Sequence, residues 1–232
     1  MIIYQLKPTF VANVEGEILK VFPNNNKCIE EFDILNKINE PLVSKNNPDD
    51  YKMSLVKPIS IFKNVLIMEH ASGIPLIKSL PLLKSVTIVG ECLAKFHLKN
   101  FEINGIFSPR IFGDFSIDHI YINTNTRSIT TFDPGTNFMS TENQLEDIAR
   151  FLFSVAETFR YKPFISQRVM RAFIKGYTIN KEIDFNDLKK IINFRKKQSI
   201  EKYKLQKSYF RARVGFVILN YNHQIIRMAL RR

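Results

Sequence analysis

The chain has 232 residues, 45% of them hydrophobic and 24% charged, and its 34 Lys and Arg against 22 Asp and Glu give a formal net charge of +12. That length and balance suit one large domain or two small lobes around a buried core, and exclude a disordered or fibrous chain. No apolar run approaches the ~20 residues of a membrane span. The two cysteines, Cys28 and Cys92, lack a CxxC pair or a nearby His/Cys cluster and read as buried thiols of a reducing compartment.

The first eight residues have no basic flank and too short an apolar run for a signal peptide, so the cytoplasm is the expected location. Residues 9–14 and 17–22 predict two strands on either side of Glu15-Gly16, a hairpin signal. Lys20 is embedded among the apolar residues of the second. After a Pro/Asn turn, residues 28–38 place Ile29, Phe32, Leu35 and Ile38 three or four apart, which predicts an amphipathic helix. That helix also carries Glu30 and Glu31. Residues 39–53 are rich in Asn, Pro and Asp and read as a surface loop, followed by strands near residues 51–61 and 65–69. Residues 80–99 predict a long helix with Leu83, Val86, Val89, Leu93 and Phe96 on one stripe and His97 near its end.

Residues 112–135 are the most informative stretch. A loop carries Asp114, a short apolar strand follows, and an Asn/Thr turn leads into a second strand ending in Asp133-Pro134-Gly135. A hairpin here would return both flanking loops to one end and set Asp114 beside Asp133. Two carboxylates so placed repel each other unless a cation or a proton lies between them.

Asp147 lies in a predicted helix over residues 144–153, and further helices are expected over 163–177 and 184–192. From Asn193 the chain turns basic: residues 187–232 hold 13 Lys and Arg against only Asp187 and Glu201. Phe210, Val214, Val217, Tyr221, Ile225 and Met228 fall at helical spacing, so the last helix is expected to dock one apolar stripe on the core. The surplus of charge implies an acidic neighbour.

In this order the elements resemble the protein-kinase-like superfamily, and within it the aminoglycoside phosphotransferases and lipopolysaccharide-core sugar kinases. The resemblance implies an α+β, two-lobed fold. A small β-rich N-lobe (residues 1–69) would bind nucleotide, residues 70–73 would form a hinge, and residues 74–232 a mostly helical C-lobe with the catalytic loop and the basic tail. Lys20 would orient the nucleotide phosphates, held by Glu31, the acid four residues before Leu35, with Glu30 as the runner-up. Met68-Glu69-His70-Ala71-Ser72-Gly73-Ile74-Pro75-Leu76 resembles the hinge of the phosphotransferases. It implies adenine bonded by the Glu69 carbonyl and the Ala71 N–H, with Met68 lining the pocket. His70 is read as an ordinary turn histidine. Gly113-Asp114 matches the catalytic loop and Asp133-Pro134-Gly135 the metal-binding turn, while His97 and Asp147 correspond to residues that brace the loop from behind.

The activity implied is that of a kinase moving the γ-phosphate of ATP to a hydroxyl of a sugar, sugar-lipid or other small molecule, with Mg²⁺ as cofactor. There is no Ala-Pro-Glu segment or long activation loop, which argues against protein substrates. Three departures keep open the alternative of a pseudokinase or nucleotide-binding scaffold. Phe112 stands where the family has His, His119 stands where it has a metal-binding Asn, and the turn within residues 4–10 has no glycine. An imidazole at His119 suits Mn²⁺ better than Mg²⁺. The expected partners are ATP, a hydroxyl-bearing small molecule or glycolipid, and an anionic membrane surface reached through the tail, which would make the protein peripheral at the inner face of the membrane. Nucleic acid ranks lower, because the tail lacks interleaved aromatics or glycines.

Overall fold

The computed structural model describes residues 2–6, 9–14, 17–37, 50–99, 101–103, 106–108, 110–135, 143–204 and 209–231. The Glu15-Gly16 turn, most of the loop over 39–53, and the side chains of residues 4–10 and 202–213 lie outside what is described. The chain forms two compact units, residues 1–75 with 120–133 and residues 76–119 with 134–232.

The first unit begins with β1 (Ile2–Leu6), β2 (Thr9–Val14), β3 (Glu17–Val21), α1 (Asn25–Lys37), β4 (Lys52–Leu55), β5 (Pro58–Phe62), β6 (Val65–Glu69) and β7 (Ile74–Pro75). The second contains α2 (Leu82–Leu98), β8 (Phe101–Ile103) and β9 (Ile106–Ser108). The chain then returns to the first unit for β10 (Ile120–Asn123) and β11 (Ser128–Thr131). It finishes in the second with α3 (Leu145–Thr158), α4 (Pro163–Thr178), α5 (Phe185–Lys204) and α6 (Tyr209–Ala229).

In the first unit an antiparallel sheet runs in the order β1-β2-β3-β6-β5. Along β6 the inward residues Leu66 and Met68 are fully buried, the period-2 alternation of a strand with one covered face. Lys20 lies opposite Leu66 and takes the one buried phase of β3. An ammonium there costs several kcal/mol of lost hydration unless it is paired, on the order of the penalty for any buried ion.

The single strand expected over 51–61 is two strands in different sheets. β4 leaves to pair in parallel with β11, in a second sheet of order β4-β11-β10-β7, while β5 starts at Pro58 and stays with β6. A proline has no N–H to donate, which suits the first position of a strand. Helix α1 is also turned from its expected face. Its buried residues are Cys28, Glu31 and Leu35, whereas Ile29 is 41% exposed.

The hairpin expected after Asp114 is present as β10 and β11, with Ile120 opposite Thr131 and Asn123 opposite Ser128. Asn123 Oδ1 accepts the N–H groups of Asn125 and Thr126, an Asx turn that closes it. Gly73 has φ +99°, and a Cβ there would lie 2.3 Å from the Ile122 carbonyl oxygen. Only glycine fits so close a backbone approach at that φ.

The second unit is built on α2, α3 and α4. The predicted stripe on α2 is its buried face in Val86, Val89, Leu93 and Phe96, and Phe151 of α3 stacks on Phe173 of α4 with centroids 3.9 Å apart. Each such ring, fully buried, contributes on the order of 1.5–3 kcal/mol. Helix α4 starts with Pro163 in its first turn, where the missing N–H is not needed.

The tail departs from expectation twice. α5 does not end near Ile192 but runs on through the basic residues to Lys204. On α6 the predicted stripe is mostly outward, with Val214, Val217, Tyr221 and Met228 each more than 40% exposed, and the helix buries Leu219, Asn222, Ile226 and Ala229 instead. α6 carries apolar residues on two faces, so periodicity alone cannot choose between them.

Candidate functional site

Both units present charged constellations among their described residues. In the first, Lys20 from β3 reaches Glu31 on α1, with Nζ 2.6 Å from Oε1 and 2.7 Å from Oε2, and its third contact is Asp133 Oδ1 at 2.6 Å. The three N–H bonds of the ammonium are thus directed at three carboxylate oxygens. Burial opposes the charge on Lys20, but the attraction of Asp133 and Glu31 outweighs it and holds the pKa above the ordinary lysine value. Glu30, one residue away, faces solvent. The Lys20 side chain is 6% exposed and that of Asp133 37%, so the acid at the end of β11 is the accessible end of this trio. Asp133 has φ +60°, a conformation that Asp and Asn tolerate better than other side chains.

The segment compared with a hinge leaves β6 at Glu69, whose N–H donates to the Lys57 carbonyl. Met68 and Ala71 are buried, Glu69 is exposed, and the His70 ring meets Tyr121 edge-on with centroids 6.2 Å apart.

In the second unit the loop carrying Asp114 is fastened from behind by Asp147. Its carboxylate accepts the N–H of Phe112 at 2.5 Å and of Gly113 at 2.8 Å, and lies 3.0 Å from His97 Nε2. Asp147 comes from the first turn of α3 and is fully buried. His97 Nδ1 is 2.8 Å from the Tyr177 hydroxyl. Burial lowers the pKa of His97, so the ring is neutral, and its partners fix the tautomer: Nε2–H donates to Asp147 and Nδ1 accepts from Tyr177. Burial and the charge of Asp147 raise the pKa of Tyr177, which keeps that hydroxyl protonated.

Phe112 is fully buried, edge-on to Phe96 at 6.5 Å and to Phe115 at 5.4 Å. The position where the resemblance has a histidine is therefore an apolar anchor. Past the hairpin, Gly135 N–H donates to the Phe112 carbonyl, and a Cβ on Gly135 would sit 2.5 Å from the Gly113 carbonyl carbon. The chain two residues after Asp133 thus lies backbone to backbone on the Gly113-Asp114 loop, which requires glycine at 135.

His119 ends a single 3-10 turn, and its Nδ1 is 3.4 Å from the Asp114 carbonyl oxygen. A proton on Nδ1 directed at that carbonyl makes Nε2 the lone-pair nitrogen, the usual arrangement of a ligating histidine.

Two residues enter this site that the sequence reading does not single out. Arg150 Nη1 is 2.8 Å from Asp114 Oδ1, and Arg195 of α5 pairs with Glu146. Burial, and then the charge of Arg150, push Arg195 below the ordinary guanidinium value. The spacing Asp147-x-x-Arg150 is the signal for the first, since residues three apart share a helix face. For Arg195 no local signal exists, because its place depends on how α5 packs on α3.

A cavity of about 340 Å³ opens beside Asp114, with Arg150, Ser154, Glu157, Arg195 and Asn222 in its walls. Arg150 Nε and Asn222 Oδ1 are buried without a hydrogen-bond partner among the described residues.

No family model matches the chain, and no curated protein matches it by sequence. Its fold does match solved structures. An aminoglycoside phosphotransferase from Streptomyces rimosus superposes with a TM-score of 0.56 at 10% identity, over 83% of this chain and 90% of that one. An ethanolamine kinase from Plasmodium vivax superposes with a TM-score of 0.54 at 11% identity, over 99% and 81% of the two chains. The chain therefore has the α+β protein-kinase-like fold of small-molecule kinases, as its motif order implies. Among the described residues no helix is long and apolar enough to cross a membrane.

Proposed function

We propose that the protein is an ATP-dependent phosphotransferase that moves the γ-phosphate to a hydroxyl of a small molecule such as a sugar or sugar-bearing lipid. The observation that carries this reading is the trio formed by the buried Lys20 and Glu31 with the accessible Asp133. A lysine held by a helix glutamate, beside an accessible strand-end carboxylate, is the arrangement that binds nucleotide phosphates and their metal in this fold. Residues 1–69 would form the nucleotide lobe, with Met68, Glu69 and Ala71 of the hinge around adenine, and residues 74–232 the acceptor lobe.

The donor set fits a divalent cation: Asp133 offers a hard carboxylate oxygen, and His119 a ring nitrogen that tolerates Mn²⁺ as well. The metal would supply charge neutralisation of the phosphates. Lys20 would orient those phosphates. Asp114 would orient the acceptor hydroxyl and take its proton at Oδ2, the carboxylate oxygen other than the one that Arg150 contacts. The cavity beside Asp114 would receive the acceptor, and its polar walls suit a polyhydroxyl compound. The surplus charge of the C-terminal helices would concentrate an anionic substrate or membrane surface nearby.

A nucleotide-dependent thermal shift with Mg²⁺ and Mn²⁺, followed by a screen of hydroxyl acceptors for ADP release, tests the reading. A metal-dependent shift with acceptor-dependent ADP is expected. A shift without turnover on any acceptor supports the scaffold reading, and no shift with either metal rejects both. His119 gives a finer test. His119→Asn should move the Mn²⁺/Mg²⁺ activity ratio towards Mg²⁺ by severalfold, whereas an unchanged ratio places His119 outside the metal shell.

A further inference from the structure

A second and larger cavity, of about 720 Å³, lies between α5 and α6. None of the residues that line the Asp114 cavity contributes to it. Its apolar lining comes from Phe185, Ile192 and Leu230, and its charged lining from Lys189, Arg227 and Arg231. Among the described residues no carboxylate lines it. The acids at the start of α5 are engaged elsewhere: Asp187 pairs with Lys190, and Asp184 accepts the N–H groups of Asn186 and Asp187. Among the described residues, Lys189, Arg227 and Arg231 make no ion pair.

The buried His223 completes the lining, its Nε2 2.9 Å from Asn193 Oδ1. Burial and the charges of Lys196 and Arg227 lower its pKa, so it adds a neutral polar group rather than a fourth cation. Three cations around one apolar cleft repel one another, and each guanidinium offers several donors in a fork suited to oxyanions. Other cations of the chain have an acid beside them: Lys95 has Glu91, Arg160 has Glu157 and Arg195 has Glu146. The cleft is instead uniformly positive.

We propose that this cleft binds an anionic small molecule, a phosphate or carboxylate carried on an apolar body, at a site distinct from the one beside Asp114. The anion would sit among Lys189, Arg227 and Arg231, and the apolar body against Phe185, Ile192 and Leu230. The assignment does not depend on the kinase reading, because it uses none of that site's residues.

The test is equilibrium binding of 1-naphthyl phosphate to the full chain, compared with neutral 1-naphthol and with inorganic phosphate. The aryl phosphate is expected to bind at least tenfold more tightly than either half alone. Lys189→Gln with Arg227→Gln should weaken it at least tenfold, while Arg227→Lys should retain most of the affinity. Arg168→Gln with Lys175→Gln removes the same charge from the exposed face of α4, outside the cleft, and should leave binding within twofold. Equal losses in the two double variants would mean that overall charge, not the cleft, holds the ligand, and would overturn the proposal. Binding of 1-naphthol as tight as that of its phosphate would overturn it too. Thermal unfolding of each variant identifies any that fails to fold, and Arg227→Gln alone then serves as the second probe.

Discussion

An Asp133→Asn variant is expected to lose metal-dependent nucleotide binding by at least about tenfold, or 1.4 kcal/mol, while keeping its fold. The side chains are nearly isosteric, and asparagine tolerates the φ of +60° at this position. Lys20 keeps both oxygens of Glu31, so the buried ammonium remains paired. What is lost is the negative charge at the exposed end of the trio, the part that a hard divalent cation needs. Calorimetric titration of nucleotide with and without Mg²⁺ reads the effect directly. Parent-like affinity for the metal–nucleotide complex would remove Asp133 from the proposed metal shell. Loss of metal-free nucleotide binding as well would instead indicate that the phosphate-orienting role of Lys20 depends on this contact.

The second large effect concerns stability. Asp147→Ala is expected to cost about 3–5 kcal/mol, the range for removing one partner from a buried charged network. The N–H groups of Phe112 and Gly113 and the Nε2–H of His97 all lose their acceptor at once, and each orphaned donor costs roughly 1–3 kcal/mol. For a chain of this size the melting temperature should fall by roughly 6–20 °C. Asp147→Asn should be milder, because an oxygen kept at the Oδ2 position still accepts from Phe112 and His97, although the amide nitrogen then opposes the Gly113 N–H. A loss below about 1 kcal/mol in the alanine variant would mean that the Phe112-Gly113 loop is held by the packing of Phe112 alone.

The two predictions draw on features of different legibility. The pairing of Lys20 with Glu31 was readable because a buried strand lysine must find an acid, and of the three acids on the helix that follows, Glu30, Glu31 and Asp33, the resemblance selects the one four residues before Leu35. The brace at Asp147 was readable from the resemblance of the helix around it, and Arg150 could have been found one turn further along the same face. The sheet partner of β4 could not be read, since its parallel pairing with β11 joins segments about 75 residues apart and leaves no local pattern. The inward face of α6 was misread because both of its faces carry apolar residues, and the one that packs is chosen by α3, α4 and α5. For the same reason nothing in the sequence sets Arg195 apart from the other cations of the basic run. Its ion pair with Glu146 places a residue of the basic run in the wall of the Asp114 cavity.

That placement limits how far the C-terminus can be treated as a detachable adhesive. The first 186 residues are nearly charge-balanced, and a chain cut there would look attractive as a minimal enzyme. It would also lack Arg195, Ser199, Leu219 and Asn222, and with them one side of the cavity beside Asp114. Sequence drift in the tail is therefore free to reshuffle the lysines on its outer surface but not the register of α5 and α6. A descendant that shed the tail would need another segment to rebuild that wall before it could enclose the same cavity.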